Sequence, residues 1–539
     1  MRVMRRRVAP AAADVSAPIH LNRRALAMSV VFCVNLLLMP FKAYLSEDSP
    51  FHQTSATPPA ALQPTLTSPN FETFAPPFLA LLQDRYAHMD ATTARADYFY
   101  DDAYRVDVYR HVVDLNHSPK ALVLAFPTSL FYTSYDATMI QAHANGTLED
   151  VEFASYVTFL DLVGFTLAAW VRRGNTMSGS SGKANEYTIY LTMRIIDVPY
   201  FLICAKFGMR CLLCLATARY FYQNYYRAVR RLLHAYRRTP RPAGVSHLEL
   251  LIGEPTDFVL TNGWITLGYT MDCVQSLQYV GRAMSRASNM NIELTAGLIA
   301  LVYLSRLVWF SYLALIGLSR VLHRRQLAHL YVPVDSLTIA ALTAINVAVF
   351  LALTATSYNF LSVFATLMQS VVDAQNAQYQ VDSTLGLIFF ASFTSLPPLG
   401  LGFVLAYWSR WRLPQRAPLL SLRARVLLWL CGIRGMSHAA KTSIVPYLAT
   451  FLASHPSTRA NCTLSHEDED CYLVAYSKEH TVLWVRRLVW TKTLALQRAT
   501  SWVTAATRDA TSPVAHLSAD VQHDACVTMG TDDAYEWIY

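Results

Sequence analysis

Four charged residues lie in otherwise apolar stretches, and they are the strongest candidates for chemistry in this sequence. They are Lys206, Arg210, Asp272 and Arg306. A charge is costly in lipid and usually faces protein or water, where it can bind an ion, relay a proton or pair with an opposite charge. Lys206 and Arg210 are four residues apart and would share one helix face. They could bind a lipid headgroup or an anion, or extend to the boundary of a helix longer than the bilayer.

Asp272 and Arg306 belong to two successive apolar segments and have opposite charges. They could pair across a helix bundle, either along a charge pathway or as a packing clamp. Because only these two opposite charges are available, we favour packing over transport.

A second candidate site lies near the end of the apolar region. Tyr358 to Thr384 contains no Lys or Arg, and Phe360 to Val372 is apolar enough to re-enter a membrane. Asp373 and Asn376 follow in an acidic, amide-rich turn, which is one way to build a cation filter. An ordinary outer loop with an interfacial helix is the alternative.

Two adjacent prolines, Pro397 and Pro398, interrupt the last apolar segment. Proline removes a backbone donor and kinks a helix. The kink could act as a gate hinge or be purely structural, since such kinks are common in membrane helices.

Catalytic and cofactor motifs are missing from the sequence. It contains no P-loop, G-x-S-x-G, H-E-x-x-H or dinucleotide glycine fingerprint, so we predict that the protein is not an enzyme and needs no cofactor. The Cys211 and Cys214 spacing falls within an apolar helix and predicts no metal site. No nucleic-acid-binding signature is present either, which argues against a nucleic-acid partner.

Two glycosylation sequons occur in the acidic region after the first apolar segment. Asn145 begins the better one, and Asn116 begins one that a proline follows. Both predict a glycoprotein whose acidic region lies outside the cytosol.

The elements that must position these residues are long apolar helices. The chain is 53% hydrophobic and 15% charged, whereas soluble domains carry about 25% charged residues. A helix of about 20 apolar residues can cross a bilayer. Six segments qualify, namely 25–45, Ile195–Tyr222, Phe258–Gly281, Leu294–Ser319, Leu337–Ser357 and Leu385–Trp408. The sequence therefore predicts an integral membrane protein with the lipid bilayer as its main partner.

An alternative with eight crossings depends on Phe153–Val171, which is apolar apart from one charge. If it crossed the membrane, parity would require another crossing within Tyr187–Tyr226. Tyr187–Met193 alternates with a period of two, however, which is typical of a strand. We therefore favour six crossings over eight.

Basic loops set the predicted orientation. Arginine-rich segments precede the first span and occur at Arg227–Arg241, Arg320–Arg325 and Arg410–Arg425. Such loops usually remain in the cytosol. Six crossings place all of them there, together with both termini, in either the plasma membrane or an internal membrane.

The predicted architecture is an all-α polytopic membrane protein with an α+β extracytosolic domain after its first helix. In that domain Leu79–Tyr86 is expected to be helical, and Ala121–Phe126 and Tyr187–Met193 are expected to be strands. The predicted regions are a basic cytosolic tail at 1–24, the first helix at 25–45, the outer domain at 46–190, a five-helix bundle at 195–408 and a cytosolic region at 409–539.

This layout resembles that of polycystin- and mucolipin-type cation channels. The resemblance covers residues 25 to 408 and rests on the order and spacing of the segments, without a diagnostic motif. It implies a channel or transporter, which could assemble as a homo-oligomer. The alternative is a membrane receptor or scaffold whose outer domain binds a partner of unknown identity.

Overall fold

The computed structural model describes most of the chain up to residue 411 and a shorter part of the tail. The described ranges are 19–51, 71–86, 95–114, 119–145, 151–159, 163–173, 186–236, 244–257, 262–325, 336–369, 380–411 and 470–490, together with isolated residues at 147, 259, 327, 330–332 and 334 and four two-residue strands after residue 490. Asn116, Asp373 and Asn376 lie outside the described residues.

The outer domain is built on a six-stranded sheet. Its strands are β2 (Ala96–Asp101), β3 (Val106–Asp114), β4 (Glu152–Phe159), β5 (Val163–Arg173), β6 (Glu186–Ile195) and β8 (Gln380–Asp382). Their spatial order is β2-β3-β6-β5-β4-β8, and all neighbours are antiparallel except β4 and β8. The strand before the last long helix therefore closes one edge of the sheet.

Both faces of this sheet are covered, which explains its strongly apolar strands. On one face, Trp170 and Tyr190 stack with ring centroids 5.3 Å apart and pack beneath helix α2 (Phe71–Arg85). On the other face, Leu167 and Ala169 belong to the largest core cluster, which includes helices α3 (Pro119–Ala125) and α4 (Ser134–Ala144).

The secondary structure of this domain agrees with the sequence-based prediction at two segments and differs from it at two others. Tyr187–Met193 is confirmed as a strand, and Leu79–Tyr86 is confirmed as mainly helical. Ala121–Phe126 forms most of a short helix, so its predicted strand is wrong. Phe153–Val171 is a hairpin of β4 and β5, so the eight-crossing alternative, which needed it as a helix, is also wrong. A short apolar run alone does not distinguish a strand from a helix.

The prediction of an all-α, six-span protein is wrong. Among the described residues, four helices are long and apolar enough to cross a membrane, or five if one bent pair is counted as a single crossing. The four are Tyr200–His234, Leu294–Leu322, Ser336–Thr356 and Thr384–Trp408, and the bent pair is Arg23–Leu37 with Met39–Leu45, which meet at 55°. Two β-sheets accompany these helices.

These long helices are composed of shorter elements. The bounds are α1 (Arg23–Leu37), α5 (Tyr200–Phe221), α6 (Arg227–Tyr236), α9 (Leu294–Leu304), α10 (Val308–Arg324), α11 (Ser336–Thr356), α12 (Tyr358–Gln369) and α13 (Thr384–Trp411). A π-helical turn at Tyr222–Tyr226 joins α5 to α6, and a 3₁₀ turn at Ser305–Leu307 joins α9 to α10. A third irregular segment, Met39–Leu45, follows α1.

The predicted span Phe258–Gly281 is where the six-span topology fails. It divides into α7 (Gly263–Val274) and α8 (Leu277–Ser288), each of 12 residues and too short to cross a bilayer. The side chain of Asn262 caps α7 by accepting hydrogen bonds from Trp264 N and Ile265 N. Helix α8 is buried along nearly its whole length and packs against β4, β5 and β6. Its apolar residues therefore contact the outer domain.

A second sheet joins three remote segments of the chain and is called the tail sheet here. Its strands are β1 (Ile19–Leu21), β7 (His247–Leu251), β9 (Cys471–Tyr476) and β10 (Val482–Trp490), hydrogen-bonded in that order. Two-residue strands β12 (Val514–Ala515) and β14 (Trp537–Ile538) extend the sheet, and β11 (Leu494–Ala495) pairs separately with β13 (Thr528–Met529).

A glycine in the outer sheet provides a test of its close packing. A Cβ atom at Gly164 would lie 2.2 Å from the carbonyl oxygen of Val157, a backbone atom that cannot move alone. We expect Gly164→Ala to lower the free energy of unfolding by about 1–3 kcal/mol, the usual cost of overpacking. Thermal unfolding of detergent-solubilised protein measures this effect.

Gly208→Ala is the matched control, because a Cβ at Gly208 meets nothing within 4 Å. Alanine also has the higher helix propensity. Equal losses of stability in the two variants would contradict the packing argument at Gly164.

Candidate functional site

Three of the four charged residues singled out in the sequence meet in one buried cluster, together with Glu47. We call Glu47, Arg210, Asp272 and Arg306 the charge ring. Arg210 donates to Glu47 Oε2 at 2.6 Å and to Asp272 Oδ1 at 2.7 Å. Arg306 donates to Glu47 Oε1 at 2.9 Å and to Asp272 Oδ2 at 2.5 Å. Each carboxylate therefore bridges both guanidinium groups, and the four charges form a closed loop.

Four separate elements deliver these side chains. Arg210 lies in the middle of α5, and Asp272 lies in the last turn of α7. Arg306 occupies the 3₁₀ turn between α9 and α10, while Glu47 follows the irregular segment that ends the first helical region. The ring thus connects the first, second, third and fourth apolar regions of the chain.

Neighbouring aromatic and hydroxyl groups complete the ring. Tyr303 donates its hydroxyl proton to Glu47 Oε1 at 3.0 Å, and its ring centroid lies 4.9 Å from the Arg306 guanidinium. The Tyr44 ring lies 4.9 Å from the Arg210 guanidinium. These contacts place polarisable π faces against cations that have left water, which reduces the cost of burying them.

The charge balance of the ring determines what it can do. Two carboxylates and two guanidiniums sum to zero, and the side chains are at most 4% exposed. Every carboxylate oxygen already accepts an arginine N–H, so the ring as it stands offers no free oxygen to a cation. Buried ion pairs with complete hydrogen bonding are strongly disrupted when one partner is removed. The geometry is that of a structural clamp.

Lys206 lies beside the ring without belonging to it. Its Nζ donates to the carbonyl oxygen of Gln275 at 2.6 Å, where α7 ends. With Asp48 and Tyr279 it lines a small pocket of about 10 Å³, which is about the room that one water molecule needs. Lys206 and Arg210 make different hydrogen bonds, and the pocket that both of them line has room for a water molecule but not for a lipid headgroup.

Sequence reasoning missed Glu47. It lies just beyond the first apolar segment, so the search for charges within spans passed over it. The available signal was that Arg210 and Arg306 are two cations against the single acid Asp272. A buried bundle requires a second acid for balance.

A second buried cluster fixes the outer domain to α8. Asp107 of β3 accepts from Arg282 Nε at 2.5 Å and from Arg286 Nη2 at 2.6 Å, and Tyr98 donates to the same carboxylate at 2.7 Å. The Arg282 guanidinium also lies 4.5 Å from the Tyr100 ring centroid. Burial raises the pKa of Asp107, but the two guanidiniums hold it below its ordinary value. Asp107 therefore remains ionised.

Three consecutive residues connect the two clusters. The carbonyl oxygen of Ser46 accepts from Arg282 at 3.3 Å, Glu47 enters the charge ring, and Asp48 accepts from the Tyr279 hydroxyl at 3.2 Å. The segment that leaves the first helical region is thus bound both to the long helices and to α8 beneath the outer domain.

The two prolines of the predicted gate lie within one continuous helix, α13. Pro397 is exposed and Pro398 is buried. Pro398 cannot donate to the carbonyl of Thr394 four residues earlier, and Asn346 Nδ2 of α11 donates to that oxygen instead, at 3.4 Å. A neighbouring helix therefore replaces the missing hydrogen bond. This favours a structural role for the two prolines over a gate hinge.

The region where a pore was predicted is filled with aromatic rings in its described part. Helix α12 packs beside α11 and α13, and six phenylalanines meet between the three helices. They are Phe350, Phe360, Phe364, Phe389, Phe390 and Phe393. This arrangement is apolar, unlike the amide-rich filter expected from Asp373 and Asn376, both of which lie outside the described residues.

The better glycosylation candidate is accessible. Asn145 is exposed at the end of α4, and the Thr147 hydroxyl donates to the carbonyl of Ala142 at 2.8 Å. Asn145 would therefore be available to a glycosylating enzyme on the outer side.

Asp136 in the outer domain gives a pH-dependent prediction. It is fully buried in the capping box of α4, where its Oδ2 accepts from Thr133 N at 2.8 Å. Burial raises its pKa to about 7, although the Thr133 hydrogen bonds oppose the rise. The folded state therefore keeps a proton that the unfolded chain releases at lower pH, and the free energy of unfolding should fall as pH rises from about 4 to about 7.

Comparing Asp136→Asn with the wild type isolates this contribution, because asparagine does not ionise. Thermal unfolding midpoints measured between about pH 4 and about pH 8 should decline less steeply in the variant. Parallel pH profiles would contradict the raised pKa.

Neither a candidate metal site nor a match to a known protein assigns a function to this chain. Within the part of the chain that the structure describes, no three His, Cys, Asp or Glu side chains are grouped to hold a metal ion. No protein family, curated protein or solved structure matches this chain.

Proposed function

We propose that this chain is an integral membrane protein that holds its outer α+β domain in a fixed orientation, as a receptor or scaffold does. The bound partner would be recognised by the outer domain, and the long helices would serve as its anchor.

Exposed apolar side chains support a bilayer as the surrounding solvent. On α5, Phe201, Leu212 and Leu215 are each more than 65% exposed. Such a face is unfavourable in water and favourable in lipid. The helix Tyr200–His234 has 35 residues, which corresponds to roughly 52 Å at about 1.5 Å per residue. That length exceeds the bilayer core of about 30 Å.

The two sheets support a sidedness that does not depend on counting charges. The long helix Tyr200–His234 begins soon after β6 of the outer sheet and ends before β7 of the tail sheet. Strands in a sheet are hydrogen-bonded neighbours about 4.8 Å apart. Residues 19–21, 247–251 and 471–490 therefore share one side, and the outer domain with 380–382 takes the other. The chain returns from β7 to the outer sheet through α7 and α8, which cover the distance as a broken pair although neither is long enough alone. By the basic loop at Arg227–Arg241, the tail-sheet side is cytosolic.

The observation that carries the proposal is the internal pairing of the buried charges in the charge ring and at Asp107. The charge ring is neutral and closed, and Asp107 fastens the outer domain to α8 through two arginines. Ion pairs of this kind hold the helices and the outer domain together, and they leave no open ligand site in the charge ring. This favours an outer domain with a fixed orientation on its helices.

A channel or transporter remains the competing class, and the phenylalanine packing around α12 argues against it. A hydrophobic constriction can nevertheless gate a pore by dewetting. Purified protein in liposomes should therefore give no K⁺, Na⁺, Ca²⁺ or Cl⁻ flux above that of empty liposomes. Flux that depends on the protein would overturn the scaffold proposal.

The fixed orientation of the outer domain can be tested by measuring the distance between two spin labels, using pulsed electron paramagnetic resonance on protein in nanodiscs. Spin-labelled non-canonical residues at exposed positions 84 of α2 and 212 of α5 avoid the native cysteines. We expect one narrow distance distribution. A broad or multimodal distribution in the wild type would mean that the outer domain moves freely on its helices, contrary to the proposal.

A further inference from the structure

Three histidines from distant parts of the chain meet at one edge of the tail sheet. His20 lies on β1, His247 begins β7, and His480 lies in the turn between β9 and β10. The His247 ring centroid is 6.3 Å from that of His20 and 5.7 Å from that of His480. We call these residues the histidine trio, and they are not arranged as metal ligands among the described residues.

The central imidazole is held in place by its surroundings. The His247 ring stacks on Tyr476 with centroids 4.7 Å apart. The Tyr476 hydroxyl donates to Glu249 Oε2 at 2.9 Å, and Asn22 Nδ2 donates to Glu249 Oε1 at 2.9 Å. Glu249 is thus the acid near the trio, and both its oxygens already accept a hydrogen bond.

Two further charges occupy the same turn as His480. Lys478 and Glu479 are both exposed, carry opposite charges and contribute no net charge to the turn. His247 therefore faces the other two imidazoles, and Glu249 is the acid that favours its protonated form.

Protonating the trio would place like charges across three chain segments. Burial lowers the pKa of His247, and the imidazoles of His480 and His20 lower it further, while Glu249 opposes this. Because the folded pKa of His247 lies below its ordinary value near 6.5, neutral His247 stabilises the sheet above that pH. This stability is lost as pH falls through about 6.5 towards the folded pKa.

The segments joined at the trio are short. Strand β1 has only three residues, paired in parallel with β7. His480 adopts a left-handed backbone with φ of 59°, a conformation that is uncommon for residues other than glycine. Ile19 is also buried in the core of the tail sheet. In the turn, Ser477 Oγ accepts from Glu479 N and Thr481 N. These are the contacts that a repulsion within the trio must overcome.

We propose that the histidine trio is a pH-sensitive latch, whose protonation releases Ile19–Leu21 and the turn at Ser477–His480 from β7. The latch acts on the base of the first helix. Asn22 caps α1 by accepting from Ala25 N, and its backbone N–H donates to the Leu250 carbonyl at 3.0 Å. Release of β1 therefore frees the amino end of the first helical region from the tail sheet.

Hydrogen exchange of the full chain in detergent at about pH 7.5 and about pH 5.5 tests the latch. After correction for intrinsic rates, amides of β1 and of the β9–β10 turn should lose about tenfold in protection at the lower pH, because two imidazolium pairs about 6 Å apart in water each contribute about threefold. Amides of β3 and β6 in the outer sheet serve as the internal reference.

A double variant separates titration from folding. His20→Gln with His480→Asn leaves one histidine, and asparagine tolerates the left-handed backbone at position 480. This variant should keep its protection at the lower pH, whereas His234→Gln on the exposed surface of α6 should behave as wild type. Unchanged wild-type protection, or an acid-induced loss that persists in the double variant, would overturn the latch.

Discussion

Replacing Glu47 with glutamine should reduce the free energy of unfolding by about 3–5 kcal/mol, which is the usual cost of leaving a buried charge without its partner. Glu47 accepts from both Arg210 and Arg306, so the variant leaves two guanidiniums with Asp272 as the remaining acid of the ring. The loss should appear as a lower thermal midpoint and reduced yield of monodisperse protein in detergent.

Two further variants show whether the loss arises from charge imbalance. Glu479→Gln alters an exposed acid in the tail sheet and should change stability little. Removing Arg210 together with Glu47, as Glu47→Gln with Arg210→Gln, leaves Asp272 and Arg306 as a balanced pair. This double variant should recover much of the stability that the single variant loses. If the double variant instead loses stability equal to the sum of the two single losses, Glu47 and Arg210 are not coupled, and the charge ring as described is contradicted.

The second large effect is expected at Asp107. Asp107→Asn removes the buried acid that binds Arg282 and Arg286, and a loss of about 3–5 kcal/mol is again expected. Here the cost falls on the contact between β3 and α8, so the outer domain should detach before it unfolds. The distribution of distances between spin labels at positions 84 and 212 should become broader in nanodiscs.

Asp102→Asn is the control for this substitution. Asp102 is exposed at the turn between β2 and β3, on the same hairpin as Asp107. It should leave the distance distribution narrow. An Asp107→Asn protein with wild-type stability and an unchanged distribution would show that the arginines at α8 do not hold the domain.

The sequence was sufficient to identify three members of the charge ring. Arg210, Asp272 and Arg306 stand out because charges are rare in apolar helices. Glu47 could not be found in the same way, since it lies in a polar segment whose position depends on tertiary packing. The Asp107 cluster was missed for a similar reason. Arg282 and Arg286 come just after the apolar segment Phe258–Gly281, whereas the acid that binds them is 175 residues or more away.

The apolar composition of Phe258–Gly281 misled the topology prediction for a physical reason. The apolar residues of that segment belong mainly to the 12-residue helix α7, and the chain turns at Gln275 and Ser276 before α8 packs against the outer sheet. Hydropathy does not show where a helix ends, so the break was not predicted. In the outer domain, the period of two in Tyr187–Met193 correctly predicted a strand. The tail sheet was beyond prediction, because β1, β7 and β9 are separated by more than 200 residues at each step.

The central claim is that a membrane separates the outer domain from the tail sheet, and glycan mapping in microsomes tests it most directly. The substitution Glu479→Asn creates a new acceptor sequon, completed by His480 and Thr481, at an exposed turn of the tail sheet. Asn145 and Asn116 begin the native sequons of the outer domain. We expect endoglycosidase-sensitive modification that Asn116→Gln with Asn145→Gln abolishes, and none at position 479. Modification at position 479 and in the outer domain together would contradict the separation, and modification at position 479 alone would reverse the proposed orientation.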